Sequence, residues 1–124
     1  VATRICLDTD VMLEFLRGRE ATVQKIRHYI TTEELCITSI TFFELLSLVN
    51  KKGRVIRIID NLSLLPFDKK ASLRADKLNE KLKEHKVNAG IREIMNASVC
   101  LANEALLLTH SRPAYEGIDG LKFV

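Results

Sequence analysis

Apolar residues follow two alternating rhythms along the chain: short continuous runs, and longer stretches with helical spacing. Arg4 to Leu7 is a short apolar run stopped by Asp8-Thr9-Asp10, and Val11 to Leu16 then resumes at helical spacing. This predicts a strand, a polar loop and a helix that Asp10 is placed to cap. Gly18 ends that helix, and Ala21 to Ile30 predicts a second, amphipathic one. Leu35 to Thr38 is β-rich, and Ser39 or Thr41 is placed to cap a helix carrying Phe42, Phe43, Leu45, Leu46 and Val49, closed by Lys51-Lys52-Gly53. Arg54 to Asn61 predicts another helix with its basic residues outward. Leu62 to Phe67 is a third strand candidate, ended by Pro66. Asp68 then starts a long polar helix through His85, with Leu73, Leu78 and Leu82 as a narrow apolar stripe. Gly90 opens a helix to Glu104, Ala105 to Thr109 is the fourth strand, and Leu121 to Val124 is a candidate short edge strand.

Strands alternating with helices imply an α/β domain: a parallel sheet covered on both faces by right-handed crossovers. The 124 residues suit a single domain over 1–124, and no repeat, low-complexity tract or linker divides them. A hydrophobic fraction of 47% with 28% charged residues is that of an ordinary globular protein rather than a disordered one. The formal charge of +3 permits contact with a polyanion without implying it, because a nucleic-acid footprint depends on clustering. Cys6, Cys36 and Cys100 each lie in an apolar stretch and read as buried free thiols, which points to a cytoplasmic protein. No apolar run reaches the roughly 18 residues of a membrane span. The N-terminal stretch enters a strand directly, with no signal-peptide pattern.

In open parallel sheets, functional residues gather beyond the carboxyl ends of the strands, near the switch in strand order. Asp8 follows the first strand, Glu44 falls in the first turn of the helix after the second, and Glu93 in the first turn of the helix from Gly90. Ser111 follows the fourth strand. These groups converge if the first and fourth strands are neighbours. Ionised carboxylates sharing a pocket repel one another unless a cation sits between them. Hard oxygen ligands without nearby His or Cys favour Mg²⁺ or Mn²⁺ over Zn²⁺. Such an ion supports phosphodiester hydrolysis. For any one of these acids, capping a helix is an equal alternative.

Several stretches resemble the PIN-domain family, and especially its VapC-type toxins. Leu7 to Gly18, LDTDVMLEFLRG, resembles the family's opening LDTNVLIDFLRG. Ile37 to Leu45 matches its S-x-x-T-x-x-E-L. Leu65-Pro66-Phe67-Asp68 resembles its LPFD junction, and Asn96 to Thr109 is similar to IAAIALANGATLVT. Tyr115 to Leu121 matches F-x-x-I-x-G-L. The resemblance runs in order from about residue 4 to the end of the chain. It implies a PIN-like three-layer α/β/α sandwich with a parallel sheet of four to five strands, and Mg²⁺- or Mn²⁺-dependent RNA cleavage. It also implies a cognate antitoxin as partner and a homodimer.

Carried over by motif, Asp8, Glu44 and Glu93 are the expected metal-binding and catalytic acids. Glu93 stands where the family places Asp in G-x-x-D, which extends the carboxylate's reach by one methylene. Thr9 is expected to orient the loop or contact a phosphate, and Asp10 to cap its helix or join the acidic cluster. Ser111 occupies the position of the fourth acidic or Asn residue, where a hydroxyl holds water but adds no charge. Arg112 is the basic residue expected to reach a scissile phosphate in RNA. Arg17, Arg19, Lys25, Arg27 and His28 form one basic group, and Lys51, Lys52, Arg54 and Arg57 another. Each reads equally as an RNA track or a solvated face. Tyr115 reads first as packing and second as a base-stacking platform. Phe42, Phe43, Leu46 and Val49 read first as core and second as a dimer or antitoxin surface. The Glu93 and Ser111 departures motivate an alternative: a degenerate PIN domain that binds RNA or a protein partner without cleavage. A phosphorelay receiver fails for want of a Lys after a fifth strand, and no P-loop or G-x-G-x-x-G is present. Crowding of the acids predicts that Asp8→Asn raises stability slightly.

Overall fold

The structure is a computed structural model that describes residues 2–124. In chain order its elements are β1 (Arg4–Leu7), α1 (Thr9–Leu16), α2 (Glu20–Thr32), β2 (Glu34–Thr38), α3 (Ser39–Leu48) and α4 (Lys52–Ile59). They continue with β3 (Ser63–Leu65), α5 (Lys69–Glu84), α6 (Ile91–Ala102), β4 (Leu106–Leu108) and a 3₁₀ turn (Arg112–Tyr115). Every strand pairing is parallel, in the order β3-β2-β1-β4. The chain steps outward from β1 to β3, then α5 and α6 carry it back to β4 on the other side of β1. The order therefore reverses between β1 and β4, where a cleft opens at the carboxyl ends of a parallel sheet.

Alternation along the strands builds a core on each face of the sheet. Ile5, Leu7, Leu35, Ile37 and Leu108 pack with Met12, Ile26, Leu45 and Val55 on one side. Cys6, Cys36, Leu65 and Leu107 pack with Ala71, Leu78, Leu82, Ala97 and Val99 on the other. This is the expected three-layer α/β/α sandwich. The expected edge strand Leu121 to Val124 contributes only an isolated parallel bridge between Leu107 and Phe123, so the sheet has four strands among the described residues. All three cysteines are buried free thiols, as predicted. Burial pushes the Cys36 thiol up to about 12, which keeps it protonated and unreactive near neutrality.

Several helix boundaries differ from the sequence reading, each for a local reason. Asp8, not Asp10, is the N-cap of α1, and its side chain accepts from the Thr9 N–H. Thr38, not Ser39 or Thr41, caps α3 by accepting from the Thr41 N–H. The helix consequently starts early enough to put Glu44 in its second turn rather than its first. Lys52 opens α4 instead of closing α3. Asp68 caps α5 as expected, but Leu73 is 58% exposed. The buried stripe is Ala71, Ala75, Leu78 and Leu82, since two alanines let this helix approach α6 closely.

Candidate active site

Four separate stretches of chain deliver side chains to the cleft. The end of β1 supplies Asp8 and Thr9, α3 supplies Glu44, the first turn of α6 supplies Arg92 and Glu93, and the segment after β4 supplies Thr109 and Tyr115. Capping directs Asp8 inward: its backbone is extended, with φ −76° and ψ 165°, so the carboxylate folds over the start of α1. The residue is only 3% exposed. One oxygen, Oδ1, accepts from Thr9 N at 2.8 Å and Arg92 Nη2 at 2.7 Å. The other, Oδ2, accepts from the Thr109 hydroxyl and the Tyr115 hydroxyl, both at 2.8 Å.

Arg92 is the hub. Its Nη2 lies 2.6 Å from Glu44 Oε1 and 2.8 Å from the Thr9 hydroxyl. Its Nε donates to both Glu44 oxygens at 3.0 and 3.1 Å. Nη1 donates to the Tyr115 hydroxyl at 2.7 Å and to Glu93 Oε2 at 3.4 Å. The Thr9 hydroxyl in turn donates to Glu44 Oε1 at 2.6 Å. Asn96, one helical turn beyond Arg92 and fully buried, accepts from the Thr38 hydroxyl at 2.6 Å and donates to the Tyr115 hydroxyl at 2.9 Å. Strand β2, helix α6 and the segment after β4 are thereby locked together behind the acids.

The electrostatics follow from this geometry. Burial disfavours the Asp8 carboxylate, but hydrogen bonding to Arg92 and its charge outweigh burial and hold the carboxyl below its usual range. Burial likewise works against the Arg92 cation, and its bonds to Glu44 and Asp8 override that and raise its pKa. Burial, then the Asp8 charge, pushes the Tyr115 phenol well above its ordinary value, so it serves as a hydroxyl donor.

The predicted acids Asp8, Glu44 and Glu93 do converge, each touching one cation, the Arg92 guanidinium. Thr9 is with them. Asp10 and Ser111 do not touch Arg92 but adjoin the cluster through Thr109, whose hydroxyl accepts from Ser111 N at 3.0 Å and lies 3.5 Å from Asp10 Oδ2. The Ser111 hydroxyl donates to Asp10 Oδ2 at 2.8 Å, and the same oxygen accepts from His110 N at 3.1 Å. Asp10 thus ties the loop after β4 to α1 at the edge of the cluster. Arg112 also points elsewhere. Its Nη2 donates to the Val124 carbonyl at 2.5 Å, and its guanidinium lies 5.1 Å from the centre of the Phe123 ring. Sequence reasoning missed Arg92, Asn96 and Thr109, and it weighed Tyr115 only as packing or as a base-stacking platform.

A hard divalent ion would find carboxylate and hydroxyl oxygens here, the donor set that Mg²⁺ and Mn²⁺ prefer. Among the described residues, no three acidic, His or Cys side chains stand close enough to ligate one ion as they are now arranged around Arg92. Mg²⁺ commonly keeps several waters and takes only one or two carboxylates directly. Asp8 and Glu44, both bonded to Nη2, meet that requirement at the position the guanidinium holds.

The fold and the cleft define an α/β protein with an acidic cluster gathered on one arginine at its switch point. Residues 5–111 match the PIN domain, and the chain belongs to that family. Solved structures share the fold at low identity. A chain of VapBC2 from Rickettsia felis bound to a DNA fragment from their promoter matches with a TM-score of 0.85 and 18% identity, covering 98% of each chain. A chain of DNA-bound VapBC from Salmonella typhimurium matches with a TM-score of 0.82 and 19% identity, over 98% of this chain and 97% of that one. A chain of FitAcB from Neisseria gonorrhoeae matches with a TM-score of 0.80 and 21% identity, over 97% and 96%. Among curated protein sequences none matches. No helix among the described residues is long and apolar enough to cross a membrane.

Proposed function

We propose that the protein is a metal-dependent endoribonuclease of the VapC type, the toxin of a toxin–antitoxin pair, hydrolysing RNA phosphodiester bonds in this cleft. The observation that carries the reading is the meeting of Asp8, Glu44 and Glu93, from three distant segments, on a single cation at the carboxyl ends of β1 and β2. PIN domains are generally nucleases, which supports hydrolysis as the reaction. Asp8 and Glu44, aided by Glu93, would hold Mg²⁺ or Mn²⁺. When bound, that ion supplies Lewis acidity toward water and the phosphoryl oxygens.

The chain's own residues do the rest. Thr109 and Tyr115 fix both lone-pair directions of Asp8 Oδ2, so the carboxylate presents Oδ1 to the cleft. Thr9 bridges from Asp8 to Glu44 and sets their spacing. An apolar groove of about 200 Å³, with Met12, Phe15, Ile26, Ile30 and Ile58 in its lining, lies over α1, α2 and α4 and suits an amphipathic antitoxin segment. Phe43 and Leu48, 70% and 62% exposed on α3, suit a homodimer contact.

The test is cleavage of defined RNA oligonucleotides across a Mn²⁺ and Mg²⁺ titration. Stimulated cleavage is expected, and Asp8→Asn should reduce it by more than roughly 100-fold, the upper range for groups that merely orient ligands. Cleavage that persists in the variant, or in excess chelator, overturns the assignment. One observation favours a second reading, a degenerate PIN domain that binds RNA or a protein partner without cutting: the acids already have a counter-ion. Tight RNA binding with no cleavage at any metal concentration would establish it.

A further inference from the structure

The acidic cleft carries its own cation, and that cation stands where a divalent ion would have to bind. Among the described residues, Asp8, Glu44 and Glu93 form ion pairs with Arg92 alone. Its Nη2 sits 2.7 Å from Asp8 Oδ1 and 2.6 Å from Glu44 Oε1, so it uses the lone pairs that ligation at about 2.1 Å would require. The fork is bidentate on Glu44, Nε to Oε2 and Nη2 to Oε1, a geometry a guanidinium can make and an ammonium cannot. The Tyr115 hydroxyl holds its other arm through Nη1 at 2.7 Å. The position of Arg92 in its helix is a second sign of purpose. It lies in the first turn of α6, where the helix dipole disfavours a positive charge, so the carboxylates rather than the helix keep it there.

Resting on the nuclease reading, we infer that Arg92 is a built-in competitor of the divalent ion: its guanidinium occupies the metal position in the resting protein and must withdraw from Asp8 and Glu44 before the ion enters. Apparent metal affinity is then lowered by the fraction of molecules in which Arg92 is seated. The seated guanidinium also offsets part of the acids' charge at low metal concentration, one positive charge shared by three carboxylates.

The experiment measures Mn²⁺ binding by calorimetry without RNA, on the full chain and on Arg92→Gln and Arg92→Lys. Arg92→Gln should bind Mn²⁺ at least about tenfold tighter than the native protein. Arg92→Lys should fall between them, because an ammonium keeps the charge but cannot make the planar two-nitrogen fork on Glu44. Equal or weaker binding by Arg92→Gln overturns the inference and makes Arg92 part of the metal site's support. Arg92→Lys binding no tighter than native reduces the effect to bare charge and overturns occupancy. A measurement on the native chain does not depend on either variant folding. The Arg92 Nε–H signal by NMR should be protected from solvent exchange without metal and lose that protection at saturating Mg²⁺. Protection that survives saturation shows that ion and guanidinium sit together, and the inference falls. If Mn²⁺ binds neither the native chain nor any Arg92 variant, the nuclease reading itself fails, a result distinct from the others.

Discussion

At Asp8 the two carboxylate oxygens face different sets of donors, and both sets are donor-only as they stand. Oδ1 meets Thr9 N and Arg92 Nη2, and Oδ2 meets the Thr109 and Tyr115 hydroxyls. An asparagine keeps the shape but must turn an NH₂ toward one set. Asp8→Asn is therefore expected to destabilise the protein by about 1–3 kcal/mol, the cost of a buried donor left without an acceptor. Denaturant unfolding with an unchanged slope would measure it. The direction is opposite to that expected from crowded acids alone, because Arg92 pairs directly with the Asp8 carboxylate. A variant as stable as the native chain would mean that the cluster is strained despite its guanidinium. Glu93 presents the contrary case. Its contact with Nη1 is long, at 3.4 Å, and its side chain is 22% exposed, so Glu93→Asp should change stability by less than about 0.5 kcal/mol. With Mg²⁺ its cleavage rate should equal or exceed the native one, and a large loss would show a site adapted to Glu.

Among the elements, the junction of β2 and α3 binds the site's supports together. The Thr38 hydroxyl accepts from Thr41 N at 3.1 Å to cap α3 and donates to Asn96 Oδ1 at 2.6 Å on α6. Thr38→Val preserves volume and burial but strands both partners, so a loss of about 1–3 kcal/mol is expected. Cleavage should also fall in folded protein, because Asn96 would no longer fix the Tyr115 hydroxyl. An unchanged unfolding midpoint would show that a water replaces the hydroxyl. Much of this element-level order was legible in the sequence. Short apolar runs marked the strands, and polar residues after them marked the strand ends where Asp8 and Glu44 meet. The buried stripe of α5 was misread because Leu73 is more apolar than Ala71 and Ala75, yet close helix packing rewards small side chains. Arg92 was illegible for a similar reason: an Arg beside a Glu in a first helical turn looks like a solvated pair. Its one available signal was electrostatic, a cation at the helix end where the dipole disfavours it. Thr109 and Asn96 gave no signal, since their roles exist only once β4 lies beside β1 and α6 lies across both.

Across the whole molecule, the return of the chain to β4 must be held against α1 and α2, because these elements meet only through the strand-order reversal. A polar clasp closes that seam. Glu14 on α1 accepts from the Thr22 hydroxyl of α2 at 2.6 Å and lies 2.7 Å from His110 Nε2 after β4, with Arg19 as an ion-pair partner. The Thr22 bond first, and then His110 and Arg19, draw the Glu14 carboxyl from 4.5 down to about 2. A carboxyl with a depressed folded-state pKa releases its proton more readily folded than unfolded. Between those two values the unfolded chain binds more protons, so stability falls as pH falls. The clasp's contribution is thus fully present above about pH 4.5 and is lost as pH drops through about 2. Glu14→Gln has no such proton to take up. It should be less stable than the native chain near neutrality, and its stability should decline less steeply on acidification through this window. Urea unfolding at several pH values reads both quantities. Parallel slopes for the two proteins would place the acid sensitivity in Asp8, whose carboxyl is also held low, and would leave the seam without a pH-dependent role.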